Sequence, residues 1–245
     1  MLTLSDYSIL LLLAIVITLP LEFMGRLGIY RRYKHVAKAL LLPLIVFVVW
    51  DIVFAQTDLW NFSKDHTFSF RLFGLPIEEI LFFVFIPLAA LLTYHAVSHM
   101  NKYPGYSSIF IWASFVVPYF GLGYLFHNFR MNKLELDLPA RIHPYYFVIT
   151  LIVALSFLLW VQADDARVTF IKSKNFFYSI VICLMFMIPF NGYLTRLTDP
   201  TVTYRANLGP RIFLDMPFED VIYGFVLLSW VLIRYHVPKK VKIEV

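Results

Sequence analysis

Four carboxyl side chains stand in two adjacent pairs, Glu78-Glu79 and Glu219-Asp220, each just behind a proline and each heading an apolar run. The first stretch reads Phe-Gly-Leu-Pro-Ile-Glu-Glu-Ile-Leu-Phe-Phe over residues 73–83. The second reads Met-Pro-Phe-Glu-Asp-Val-Ile-Tyr over residues 216–223. Taken singly, either is an ordinary helix start. Proline suits the first helical position, and acids in the first turn complement the helix dipole. Capping does not explain why the pattern recurs about 140 positions later. A charge in an apolar span is costly and marks a functional site. An acid withdrawn from water beside a like neighbour favours its neutral form, and a neutral carboxylic acid is a general acid. Phe82 stands four residues beyond Glu78 and Tyr223 four beyond Glu219, so each helix sets an aromatic ring on the face of an acid. Aromatic faces attract cations. Acid and aromatic wall beside lipid together supply the chemistry for protonating an alkene and guiding a carbocation.

The elements that must position these residues follow from composition. The chain has 245 residues, 60% of them hydrophobic and 15% charged, with a mean hydropathy of +0.72. A soluble domain of this length carries more charge. The apolar runs are long enough to cross a bilayer as helices. They predict an all-α integral membrane protein with about seven spans, near 7–25, 37–55, 75–95, 108–126, 144–162, 175–191 and 217–235. Beyond the acids, Asp51 near the end of span two corresponds to Asn191 at the end of span six, and Arg71 corresponds to Arg211. Spans one to three therefore match spans five to seven. Residues 1–100 form a first repeat half, 101–143 a connector with the fourth span, and 144–245 a second half. With four crossings between equivalent spans the halves point the same way, a 3+1+3 parallel repeat about an axis along the membrane normal.

Charge placement sets the orientation. Arg26, Arg31, Arg32, Lys34 and Lys38 follow span one, Arg167, Lys172 and Lys174 follow span five, and Arg234, Lys239, Lys240 and Lys242 end the chain. These share one side, which is cytoplasmic by the positive-inside rule. The N-terminus is then outside and the C-terminus inside, in the cell (inner) membrane. The acid pairs lie at the opposite side. The net charge of +5 reads as membrane anchoring, with no nucleic-acid partner. Asp6 stands where a signal peptide would carry its basic region.

Asp51 follows Trp50 inside an apolar span with no local partner and reads as a buried functional or network group. Asn191 is a weaker signal at a span end. Arg71 and Arg211 have two open readings: one holds an acid ionised, the other is interfacial snorkelling. Thr195 and Tyr204 read equally as ordinary loop residues. Other patterns are set aside. Cys183 is the single cysteine and packs in an apolar run. His95 and His99 are one i,i+4 pair where a di-iron site needs several histidines. Asp164-Asp165 lacks the further acids of a diphosphate–Mg²⁺ site, and Gly121-Leu122-Gly123 has no third glycine. No metal and no cofactor is expected.

At the acid motifs the chain resembles the membrane-integral lycopene cyclases of the heterodimeric bacterial type, here as a fused two-half chain. That family carries Pro-x-Glu-Glu in one half and Pro-x-Glu-Asp in the other, here Pro76 to Glu79 and Pro217 to Asp220. Leu81-Phe82-Phe83 follows the first motif. Asn191-x-x-Leu194-Thr195, Tyr204 and Gly209-x-Arg211-Ile212 precede the second, and Tyr223-Gly224-Phe225 follows it. The segment Arg196-Leu197-Thr198-Asp199-Pro200 is slightly longer than the family's usual spacing. The resemblance implies cofactor-independent cyclisation of the ψ-ends of a linear carotenoid, to β-rings, with no redox change. It implies a lyase or isomerase that takes a polyene such as lycopene from the bilayer, and a homo-oligomer is compatible with it. Glu78 and Glu219 are expected as the principal acid/base groups, with Glu79 and Asp220 sharing the proton. Asp51, Arg71, Phe82, Asn191, Thr195, Tyr204, Arg211 and Tyr223 are expected to line or support the substrate site. Two rivals stand beside this reading, a carotenoid hydratase and a SWEET-like 3+1+3 transporter.

Overall fold

The computed structural model describes residues 5–24, 28–102, 145–196, 199–204, 211–212 and 215–237. Its helices are α1 (Asp6–Met24), α2 (Tyr33–Gln56), α3 (Ile77–Lys102), α4 (Tyr145–Gln162), α5 (Asp165–Ile171), α6 (Lys174–Leu194) and α7 (Phe218–His236). Six of the seven expected spans find a helix at the expected place. The fourth, with Gly121-Leu122-Gly123, lies outside the described residues, as do Arg26, Gly209 and the lysines of the tail. Among the described residues α1, α2, α3 and α6 are long and apolar enough to cross a membrane, and α4 with α5, bent by 113° at a short break, makes a fifth candidate. Asp164 accepts from the Ala166 amide at 2.9 Å and caps α5 at that break, the local role its loop position suggests. Helix α7 differs in kind. It carries Glu219, Asp220 and Arg234, yet buries Leu227, Leu228, Val231, Leu232 and Ile233. It is an inner helix whose polar residues face protein.

The helices pack in matching sets. Within the first part of the chain α1 packs on α3, and within the second α4 packs on α7. Across the two parts α2 packs on α7, and α3 packs on α6. The exposed faces of α2 and α4 are apolar, with Leu41, Ile45, Val49 and Val53 on one and Ile152, Leu155 and Leu159 on the other, as a lipid-facing surface requires. The basic ends are tied together too. Arg234 donates to the Lys38 and Ala39 carbonyls at 3.0 and 3.2 Å, and Asn175 joins Asn101 and Ser98 at 2.5 and 2.7 Å.

At the other end two short segments meet. Strand β1 (Trp60–Phe62) pairs antiparallel with β4 (Val202–Tyr204), Trp60 opposite Tyr204 and Phe62 opposite Val202. Strands β2 (Arg71–Leu72) and β3 (Leu75–Pro76) form a hairpin that sets Arg71 against Pro76. An isolated bridge joins Arg211 to Pro217, the same contact at the second motif. The prolines therefore end an extended segment rather than start the helix. Pro76 is the last residue of β3, and Pro217 is the N-cap of α7 at φ −68° and ψ 143°. Proline's fixed φ suits that conformation equally well.

The hairpin turns on Phe73 and Gly74, at φ 54° and 91°. Two central residues with positive φ define the tight turn whose twist matches its strands. Glycine adopts that conformation freely and a residue with a Cβ does not. Gly74→Ala is expected to cost roughly 1–2 kcal/mol, read as a lower midpoint of thermal unfolding in detergent. An unchanged midpoint would contradict the turn.

Candidate active site

The start of α3 and the start of α7 each present two buried acids about 100° apart around the helix, so the two acids of a pair meet different surroundings. Glu79 and Asp220 both line one cavity, together with Asp51, Asn191, Tyr204, Tyr223 and Phe82. Glu78 turns the other way. Its Oε1 accepts from Ser5 Oγ at 2.6 Å, from Ser8 Oγ at 3.3 Å and from the Phe68 amide at 2.7 Å. Glu219 is fully buried and is not a lining residue. The acids expected to share the proton, Glu79 and Asp220, are thus the ones that line the cavity, and Glu78 and Glu219, expected as the principal acid/base groups, are not lining residues. Phe82 and Tyr223 line the same cavity and stand at i,i+3 to Glu79 and Asp220 as well as at i,i+4 to Glu78 and Glu219.

Each inward acid is held by a phenol from the helix that opens its own part of the chain. Tyr7 on α1 donates to Glu79 Oε2 at 2.6 Å. Tyr146 on α4 donates to Asp220 Oδ1 at 2.5 Å. These tyrosines stand at the repeat spacing, and so do the next partners. Asp51 on α2 is within hydrogen-bonding reach of Glu79, while Asn191 on α6 donates to Asp220 Oδ2. Two phenols complete the cluster. Tyr223 donates to Asp51 Oδ1 at 3.0 Å, and Tyr204 to Asp220 Oδ2 at 2.8 Å. Burial first, and then the neighbouring Asp220, pushes the Tyr204 phenol well above the usual tyrosine range, so it stays a neutral donor.

Rings enclose these carboxyls. Trp60 lies 5.4 Å from Tyr146 and 5.7 Å from Tyr204 between ring centres, both edge-on, and Trp50 lies 5.0 Å from Tyr223. The β1–β4 pairing is what brings Trp60 and Tyr204 together. Trp60, Tyr146, Tyr204 and Tyr223 line the cavity, and aromatic faces favour positive charge. From this polar end the cavity runs down the bundle between apolar walls. Its wall on α1 extends from Tyr7 to Thr18, on α3 from Glu79 to Thr93, and on α6 from Leu194 to Ile182. The α3 wall alone is about 20 Å long at the helical rise per residue. Gly224 makes room for the Met187 side chain of α6, which a Cβ there would meet. Cys183 also lines this wall.

The remaining expected residues serve the frame. Arg71 donates to Thr67 Oγ1 at 2.9 Å and the Phe62 carbonyl at 3.4 Å. Arg211 donates to the Asp215 carbonyl at 2.7 Å and lies over the Tyr204 ring at 5.7 Å. These contacts are with loop groups, and neither arginine is a lining residue. Thr195 returns its hydroxyl to the Asn191 carbonyl at 3.0 Å at the end of α6. Asp6 gathers Arg196 at 3.0 Å and His66 at 2.9 Å above the cavity. His95 lies at the basic end, its ring 5.1 Å from His236 and 5.4 Å from Tyr235. Among the described residues no group of three or more histidines, cysteines or acids is placed to hold a metal. Tyr7, Tyr146 and Trp60 were missed in the sequence. The repeat spacing between Tyr7 and Tyr146 was the available signal.

A family model described as lycopene cyclase matches residues 5–97 and 143–237. The matched segments hold Asp51 and Glu79 on one side and Asn191 and Asp220 on the other. A search of curated proteins and a search of solved structures each return no match.

Tyr146→Phe leaves a buried carboxyl oxygen short of a donor and is expected to cost about 1–3 kcal/mol. Tyr7→Phe should behave alike, and Tyr178→Phe, at an exposed phenol, should change little. Thermal unfolding in detergent makes the comparison. Equal midpoints for all three variants would remove the phenols from the network.

Proposed function

The chain belongs to the lycopene cyclase family, and on that premise we propose that it closes six-membered β-rings at the ψ-ends of a linear carotenoid by proton transfer alone. The observation that carries this reading is the joint placement of Glu79 and Asp220 at the polar end of one long apolar cavity. A cavity of that shape suits a polyene inserted end-first from the bilayer. A carboxylic acid at the polar end gives a proton to C2 of the terminal double bond, leaving a cation at C1. The electrons of C5=C6 attack C1, the C1–C6 bond forms, and the cation moves to C5. A carboxylate takes the C6 proton, and the C–H electrons become the new C5=C6 bond. Atoms and charge balance with no oxidant or reductant. Trp60, Phe82, Tyr204 and Tyr223 supply the ring surface that favours the cation in transit.

In this proposal Glu79 and Asp220 touch the reacting carbons, and Glu78 and Glu219 support them. The basic ends, with Arg31, Arg32, Lys34, Lys38, Lys172, Lys174 and Arg234, face the cytoplasm. The cluster then lies toward the outer leaflet of the cell membrane. The apolar walls argue for a polyene over a sugar, which sets aside the transporter reading.

Expression in a lycopene-accumulating bacterial host, with pigments separated chromatographically and weighed by mass spectrometry, tests the proposal. The expected product keeps the substrate mass and absorbs at shorter wavelength, because the ring twists C5=C6 out of the polyene plane, whereas hydration would add water. Glu79→Gln and Asp220→Asn should each lower turnover about 100-fold or more, while Glu78→Gln should retain far more activity at equal protein level. Retention of lycopene by the unaltered chain would overturn the function. Near-normal turnover in Glu79→Gln or Asp220→Asn would overturn the site.

A further inference from the structure

The two inward acids are held in corresponding ways, but their further partners differ in kind. Tyr7 holds Glu79 as Tyr146 holds Asp220. Where α6 offers Asn191 to Asp220, however, α2 offers Asp51 to Glu79. An amide brings its own hydrogens, and a carboxylate brings none. Asp220 therefore collects three neutral donors, from Tyr146, Tyr204 and Asn191, and its hydrogen bonding is complete without a proton of its own. The Asp51 and Glu79 carboxyls face each other, and their contact requires that at least one of them carry hydrogen. Tyr223 and Tyr7 each occupy one oxygen of that pair, which leaves the others to share the proton. Asp51 is 1% exposed and Glu79 9% exposed, so both carboxyls are withdrawn from bulk water.

We infer that the Asp51–Glu79 pair is the proton donor of the site and that Asp220, held as carboxylate by Tyr146, Tyr204 and Asn191, is the acceptor. This assignment rests on the cyclase reading for its catalytic meaning, but the resting arrangement of protons does not depend on it. Glu79 delivers the shared proton to C2, and Asp51 positions and holds that proton beforehand. The pair is left with one proton fewer beside the new cation, which the added negative charge stabilises. Asp220 then takes the C6 proton. The difference between Asp51 and Asn191, with Tyr204 as a further donor to Asp220, thus gives two similar acids opposite tasks.

Infrared spectroscopy of the purified protein without substrate tests the arrangement directly. A protonated carboxyl shows a carbonyl stretch that shifts in D₂O, distinct from the carboxylate bands. The band assigned to the pair should vanish in Asp51→Asn, because the introduced amide donates to Glu79 and removes the need for a proton. It should also vanish in Glu79→Gln and persist in Asp220→Asn. Asn191→Asp should add a second such band by giving Asp220 a carboxyl partner. This gain keeps the test decisive if Asp51→Asn fails to insert. An unchanged band in Asp51→Asn, or loss of the band in Asp220→Asn, would overturn the assignment. Turnover supplies an independent split. Asp51→Asn should fall about 100-fold and leave only the linear substrate. Asp220→Asn should still form cations and divert them to other ring isomers or water adducts. Diverted products from Asp51→Asn, with only linear substrate from Asp220→Asn, would reverse the roles. If the unaltered chain fails to cyclise while the infrared pattern holds, the function is wrong and the proton arrangement stands.

Discussion

A carboxyl group inside an apolar bundle must be given hydrogen-bond partners, because an unpaired buried charge costs several kcal/mol. Much of this fold answers that constraint. The acids at the starts of α3 and α7 are met by tyrosines from the starts of α1 and α4 and by side chains near the ends of α2 and α6. The β1–β4 pairing adds Tyr204 and Trp60. Helices α1, α2, α4 and α6, whose exposed sides are largely apolar, and α3 therefore each contribute a polar group at one end of their inner sides. The rest of the cavity is left apolar, and a long hydrocarbon can occupy it.

The cross-packing of α2 on α7 and of α3 on α6 has a functional consequence. The acids of the two matched segments are brought to one cavity rather than to two. A polar end shared in this way admits one terminus of a linear substrate at a time. It also places Glu79 and Asp220 on different helices, so that the partners of one can be altered without moving the other. Asp51 and Asn191 stand at that point of freedom. A repeat in which both positions were carboxyls would need a proton at each acid, and one in which both were amides would have no proton to give.

Much of this was legible in the sequence, for physical reasons. Long apolar runs fix helices whatever their neighbours, so α1, α2, α3, α4, α6 and α7 begin and end close to where hydropathy puts them. The repeated Pro-x-acid-acid pattern marked the site. Which acid of each pair faces inward was not legible. Adjacent residues differ by about 100° on a helix, and that phase is set by packing against α1 and α4. The same blindness affected Arg71 and Arg211. Their charge suggested ion pairs with the motif acids, but beside the contacts Arg71–Pro76 and Arg211–Pro217 Arg71 donates to the Phe62 carbonyl and the Thr67 hydroxyl, and Arg211 turns to the carbonyl and carboxylate of Asp215. Tyr7 and Tyr146 look like any tyrosine near a membrane interface until their spacing is compared.

The central claim is that Glu79 and Asp220 serve one shared site. A carotenoid analogue with a permanent ammonium group in place of C1 would mimic the cation and bind between them. Calorimetric titration of the purified protein should give one analogue per chain, with affinity lost in Glu79→Gln and equally in Asp220→Asn. Two analogues per chain, or one remaining after either substitution, would contradict a shared site and point to separate sites in the two parts of the chain.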